Sequence, residues 1–192
     1  MAKYRKVEIT EAGVILARQA LSGAKKIVFT KVESGSGEYG LTESLKTRQG
    51  LKAREQSVAV SGVTKSSQTG LIVRAVISNV NQDGSTVAQG YYMREIGLYA
   101  KPENGTEVLY AIAVAEQGKE EFVPEYASGH PFSNTIDFIL ALGNAESVKI
   151  QYEMSAYATA RDLSELSEKV EANRIQAAAA ARPRSWNRKP LL

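Results

Sequence analysis

Residues 91–100 read YYMREIGLYA. Apolar and aromatic side chains flank an adjacent arginine and glutamate, Arg94 and Glu95. On a strand, alternate residues face opposite sides. Tyr92, Arg94, Ile96 and Leu98 then share one face, and Tyr91, Met93, Glu95, Gly97 and Tyr99 the other. Each face carries one charge among apolar neighbours. A buried charge is tolerated only with a partner. Each is therefore expected to pair locally, in an ion pair or a hydrogen bond to a turn, and to serve folding.

The surrounding sequence reads as strands separated by turns. PENGTE, with Asn104-Gly105 at its tip, joins this strand to VLYAIAVAE as an antiparallel hairpin. SVAVSGV and TGLIVRAVISNV are rich in β-branched residues, and NQDGST reads as a hairpin turn. NTIDFILALG and SVKIQYEMSA form a last pair, after an irregular connection, FVPEYASGHP. Upstream, the first element is a helix: Thr10 is a good N-cap, Glu11 suits the positive end of the dipole, and Gly23 is a stop. KKIVFTKVE follows as a strand with Ile27, Phe29 and Lys31 on one face, and LTESL reads as a short helical turn. These elements amount to one helix and about seven strands in residues 1–157. The fold expected is α+β: an N-terminal helix on a mostly antiparallel sheet or sandwich, followed by a C-terminal coiled-coil helix.

Composition narrows the chemistry. The 192 residues are 43% hydrophobic and 23% charged, enough to build a core. The net charge of +3 is too weak to argue for nucleic acid by itself. With no cysteine there are no disulfides and no thiolate ligands. No signal peptide and no membrane-spanning stretch is read, so no membrane insertion is expected. The single histidine, His130 in SGHPF, reads as a turn residue. No Gly-x-Ser-x-Gly elbow accompanies it. SGSGEYG at 34–40 lacks the ending of a phosphate loop and reads as a loop using the permissive backbone of glycine. No catalytic, cofactor-binding or metal-binding residue is assigned.

The C-terminal part differs in composition. Residues 158–182 are rich in Ala, Glu and Leu and contain neither Gly nor Pro. Leu163, Leu166, Val170, Asn173 and Ala177 fall at alternating spacings of three and four, an a/d seam. A helix over 161–182 would be about 33 Å long. Alone it is marginal, and association would stabilise it. Residues 183–192, PRSWNRKPLL, form a short basic tail in which Trp186, with Arg184 and Arg188, reads as a partner-anchoring element.

One resemblance ties the motifs together. ITEAG at 9–13, SGSGEYG at 34–40, LTESL at 41–45, MREIGLYA at 93–100 and LYAIA at 109–113 stand in the order found in the N-terminal domain of phage tail-collar fibre proteins, which the chain resembles over residues 4–156. The resemblance implies a structural virion protein, made in the host bacterial cytoplasm. It would attach a tail fibre to the baseplate of a contractile tail or a phage-tail-like bacteriocin, as a homotrimer and without enzymatic activity. Its partners would be a baseplate protein and a distal fibre or receptor-binding protein. It marks Arg94, Glu95, Gly97 and Tyr99 as signature residues, for fold or docking. Fibres of that family continue into a shaft and tip, so a chain ending at 192 is expected to be a short adaptor or a truncated fibre. The domain plan that results is a baseplate-attachment head at 1–157, a trimeric coiled coil at 158–182 and the basic tail at 183–192. A rival reading is a carbohydrate-binding or carbohydrate-active protein, with Tyr91, Tyr92, Tyr126 and Trp186 as stacking platforms. Weak nucleic-acid binding through the tail is less favoured, because four basic residues from Arg182 onward are few.

Overall fold

A strand comes before the first helix. In the computed structural model β1 (Tyr4–Ile9) leads into α1 (Glu11–Leu21), then β2 (Ile27–Gly35), β3 (Arg54–Ala59), β4 (Gly62–Ser66) and β5 (Gly70–Ser78). β6 (Tyr91–Met93), β7 (Glu95–Pro102), β8 (Val108–Ala115), β9 (Glu121–Val123), β10 (Ser133–Ala141) and β11 (Val148–Glu153) follow. The structure describes residues 3–23, 26–66, 70–80, 84–126, 131–141 and 148–153. The expected coiled coil, the basic tail and His130 lie outside the described residues.

Among the described residues all strand pairs are antiparallel. They build a five-stranded sheet, β1-β8-β7-β2-β3, a four-stranded sheet, β11-β10-β5-β4, and a two-stranded ribbon, β6-β9. Residues of both large sheets meet in one core: Val32, Ile96, Leu98 and Ala111 from the first, Val73, Ile77, Ile136 and Phe138 from the second. That is the arrangement of a β sandwich. Each large side chain buried there contributes about 1.5–3 kcal/mol. Across the second sheet, Arg74 donates Nε to Oδ1 of Asp137 at 2.8 Å and Nη2 to Oδ2 at 2.7 Å, a bidentate pair between register partners.

The class is therefore predominantly β, and the α+β expectation is corrected. Among the described residues eleven strands stand against one helix of 11 residues. That helix buries only Gly13, Leu16 and Ala17, so it caps a β core and does not form a layer of its own. Two strands escaped the sequence reading, and SVAVSGV, read as one strand, is divided between β3 and β4, which lie in different sheets. β1 lies in a basic stretch, and β9 is only three residues long. LTESL forms turns closed by Glu43 N to Gly40 O and Arg48 N to Leu45 O, not a helical segment. The pairing of β2 with β7 shifts register between Phe29 and Lys31. Ile27 and Phe29 accordingly pack on the main core, while Lys31 stands on the other side, over the ring of Tyr99. The hairpin across PENGTE forms between β7 and β8, and Gly23 (φ 72°) follows the helix as its stop.

Candidate functional site

YYMREIGLYA is not one strand. It breaks at Arg94, where the chain leaves the β6-β9 ribbon and enters the five-stranded sheet. The break is pinned by the backbone: Arg94 N donates to Gly35 O at 2.9 Å and Ala115 N donates to Arg94 O at 2.8 Å. The two charged side chains then part company.

Glu95 is wholly buried. Its Oε1 accepts from Gly37 N at 3.1 Å and Ala53 N at 2.8 Å. Its Oε2 accepts from Lys52 N at 2.9 Å and from the Tyr39 hydroxyl. A buried carboxylate left without partners costs several kcal/mol, and donors aimed at it offset that cost. All four donors belong to the strap between β2 and β3, residues 36–53. Glu95 thus closes that strap from both ends. Burial, reinforced by the bond to Glu95, pushes the Tyr39 hydroxyl well above its ordinary range, so it remains a donor at neutral pH.

The glycine-rich run is explained by the same carboxylate. A Cβ on Gly35 would stand 2.6 Å from Glu95 Oε1, and one on Gly37 would collide with the same oxygen and with Lys52 Cβ. Neither glycine has a positive φ. Close approach is what these positions demand, not unusual backbone angles, which corrects the reading from permissive dihedrals.

The strap covers a second core on the outer face of the five-stranded sheet. Leu45, with Tyr39 and Leu51, packs on Tyr99, Leu109, Ile112 and Val114. Gly97 makes room there: a Cβ on it would come 2.8 Å from Leu109 Cδ1 and 3.1 Å from Leu51 Cδ2. The Tyr99 ring carries the ammonium of Lys31 at 4.5 Å, and burial and Glu33 raise its hydroxyl pKa. A further bond, Glu11 N to Lys46 O at 2.8 Å, ties the strap to the start of α1.

ITEAG meets LYAIA in the same way. The Thr10 hydroxyl accepts from Gly13 N at 3.0 Å, capping the helix, and donates to Leu109 O. A Cβ on Gly13 would collide with the Tyr110 carbonyl oxygen. Motifs separated by up to about a hundred residues thus close on one another around β7 and β8.

Arg94 turns the other way, to the surface. Its guanidinium donates to Ser36 O at 3.3 Å, stands 3.5 Å from Glu38 and 3.8 Å from Glu120, and lies 5.7 Å from the Tyr92 ring centroid. It borders an open cleft of about 560 Å³, also lined by Tyr39, Leu41 and Glu116. Next to the cleft, Tyr92 and Phe122 pack ring against ring across the β6-β9 ribbon, centroids 5.1 Å apart, and both are exposed. Among the described residues no group of His, Cys, Asp and Glu could hold a metal ion. No helix there is long and apolar enough to cross a membrane.

A family model described as phage tail-collar fibre protein, N-terminal, matches residues 1–162. The chain belongs to this family. It is a structural component of a phage tail fibre and hence of the virion. A comparison with curated proteins and one with solved structures returned no match.

Within this tail-collar fibre domain the structure divides the four signature residues. Glu95, Gly97 and Tyr99 are buried around the strap and Arg94 lines the cleft. Arg94 and Glu95 do not pair with each other. Of the proposed sugar platforms, Tyr91 is buried and bonded to Ser34 and Gln56, while Tyr92 and Tyr126 are exposed. The seam residues Leu163, Leu166, Val170, Asn173 and Ala177, and Arg184, Trp186 and Arg188, lie outside the described residues. Sequence reasoning missed the strap. Its signal was glycines at 35 and 37, two apart, preceding a lone glutamate in a later apolar run.

Proposed function

We propose that this tail-collar fibre protein attaches a fibre to the baseplate of a contractile phage tail or a phage-tail-like bacteriocin, acting as a homotrimer. The head at 1–157 docks on a baseplate protein. The segment 158–182 brings three copies together along Leu163, Leu166, Val170, Asn173 and Ala177 as a coiled coil. In the tail, Trp186, Arg184 and Arg188 hold a partner such as a distal fibre or receptor-binding protein. No catalysis is involved, and the chain is made in the host bacterial cytoplasm before assembly. The observation that supports this reading is the family match over 1–162, which takes in every described residue of the head.

The test is reassembly. Particles made without this chain should lack the fibre and regain it when the purified full-length protein is added. Light scattering should give a trimer for the full chain and a smaller, folded species after removal of 158–192. A truncated protein that stays trimeric would move the contact into the head. Particles that carry fibres without the chain would refute attachment.

A further inference from the structure

We infer that the outer face of the β6-β9 ribbon and the adjoining cleft form the head's docking surface, and that it receives a protein segment carrying a basic side chain beside an apolar one. The inference deepens the attachment reading and rests on it.

The two halves of the surface are continuous because they share residues. Tyr92 and Phe122 are register partners on the ribbon, and Arg94 and Glu120 follow on the same side at its end. Arg94 and Glu120 also line the cleft, together with Glu38 and Leu41. The result is one strip: an aromatic pair, an ion pair, then a cleft with an exposed leucine at its rim. Tyr92, Phe122 and Leu41 are 51%, 45% and 87% exposed, so the strip offers apolar surface at both ends.

The strip is held in place. The Phe122 ring lies across the backbone of Gly90, where a Cβ would stand 2.6 Å from Cζ. The backbone of Arg94 is bonded on both sides, and the wall of the cleft is the strap that Glu95 closes. A surface already rigid loses little entropy when a partner binds.

Charge selects the partner. One guanidinium, Arg94, faces two carboxylates, Glu38 and Glu120, so the cleft keeps a negative excess. The neighbouring segment 116–125 carries four glutamates against one lysine. An acidic stretch thus adjoins the exposed aromatic pair. A lysine or arginine of the partner enters the cleft beside Arg94, where it shares Glu38 and Glu120, and its apolar neighbour packs on Tyr92 and Phe122. Complementary charge of this kind speeds association and sets register.

The experiment uses full-length protein and particles prepared without it, with binding read by co-sedimentation. Glu38→Gln, the double variant Glu38→Gln/Glu120→Gln, and Tyr92→Ser/Phe122→Ser are compared with wild type and with Ile15→Ser, an exposed position on α1. Each variant is checked for unchanged melting; Glu38, whose side chain is 78% exposed, cannot carry the fold. The expected result is a loss of about tenfold or more in particle binding for each double variant, and a smaller loss for Glu38→Gln. Ile15→Ser should bind normally, and the salt dependence should be weaker in the glutamine variants. Wild-type binding by all three surface variants, with wild-type protein still binding particles, would overturn the docking surface and leave attachment standing. Failure of the wild-type protein to bind would overturn the attachment reading itself.

Discussion

Gly37 and Glu95 are in contact across 58 positions of sequence: the amide of the first donates to the buried carboxylate of the second at 3.1 Å. There is no room for a side chain on the glycine. Adding one methyl group would push the strap off the carboxylate. Gly37→Ala and Gly35→Ala should each destabilise the head by about 1–3 kcal/mol, the usual cost of overpacking. Gly40→Ala should be nearly neutral, since its Cβ would find nothing closer than 3.9 Å. Denaturant midpoints of the three variants check the ordering.

Thr10→Ala should cost about 1–2 kcal/mol. It removes the helix cap to Gly13 N and leaves the buried Leu109 carbonyl short of a donor. Thr10→Ser keeps both bonds and should recover most of the loss in a thermal melt.

The head should lose stability in alkali. Burial raises the hydroxyl pKa of Tyr39, Tyr91 and Tyr99 above the ordinary value of about 10. A raised folded pKa contributes stability that is fully present below the unfolded value and is lost as pH rises past it. The urea midpoint should therefore fall progressively above pH about 10, and tyrosinate absorbance should show these residues ionising late. A midpoint flat through that range, with all nine tyrosines titrating together, would contradict the assignment.

Much of the fold was legible because its signals are local. The Asn104-Gly105 turn marks the β7-β8 hairpin, and Thr10 with Gly23 marks the ends of α1. Other features depend on partners far along the chain. The apolar run around Arg94 continues through the break between β6 and β7, so nothing local shows that two sheets share it. Tyr4, Lys6 and Glu8 alternate with Arg5, Val7 and Ile9, too polar a pattern to announce β1, which is held by its pairing with β8. The strap has no periodicity at all. It is set by one carboxylate that enters the sequence some forty residues after it, and its glycines look like flexibility until Glu95 is placed between them.

Arg94 and Glu95 are neighbours with opposite duties, and truncating each should separate them. Glu95→Ala strands three backbone amides and the Tyr39 hydroxyl, and should cost about 3–5 kcal/mol. Arg94→Ala removes contacts that are partly exposed and should cost about 1 kcal/mol or less. Chemical denaturation followed by tryptophan-independent circular dichroism measures both.

One buried carboxylate fastens the strap to the sandwich. Amide hydrogen exchange at Gly37, Lys52 and Ala53, compared between wild type and Glu95→Gln, tests it most directly. All three should be strongly protected in the wild type. Those amides should exchange faster in the variant, while the β7-β8 ladder stays protected. Rapid exchange at the three amides in the wild type, or unchanged protection in Glu95→Gln, would contradict it.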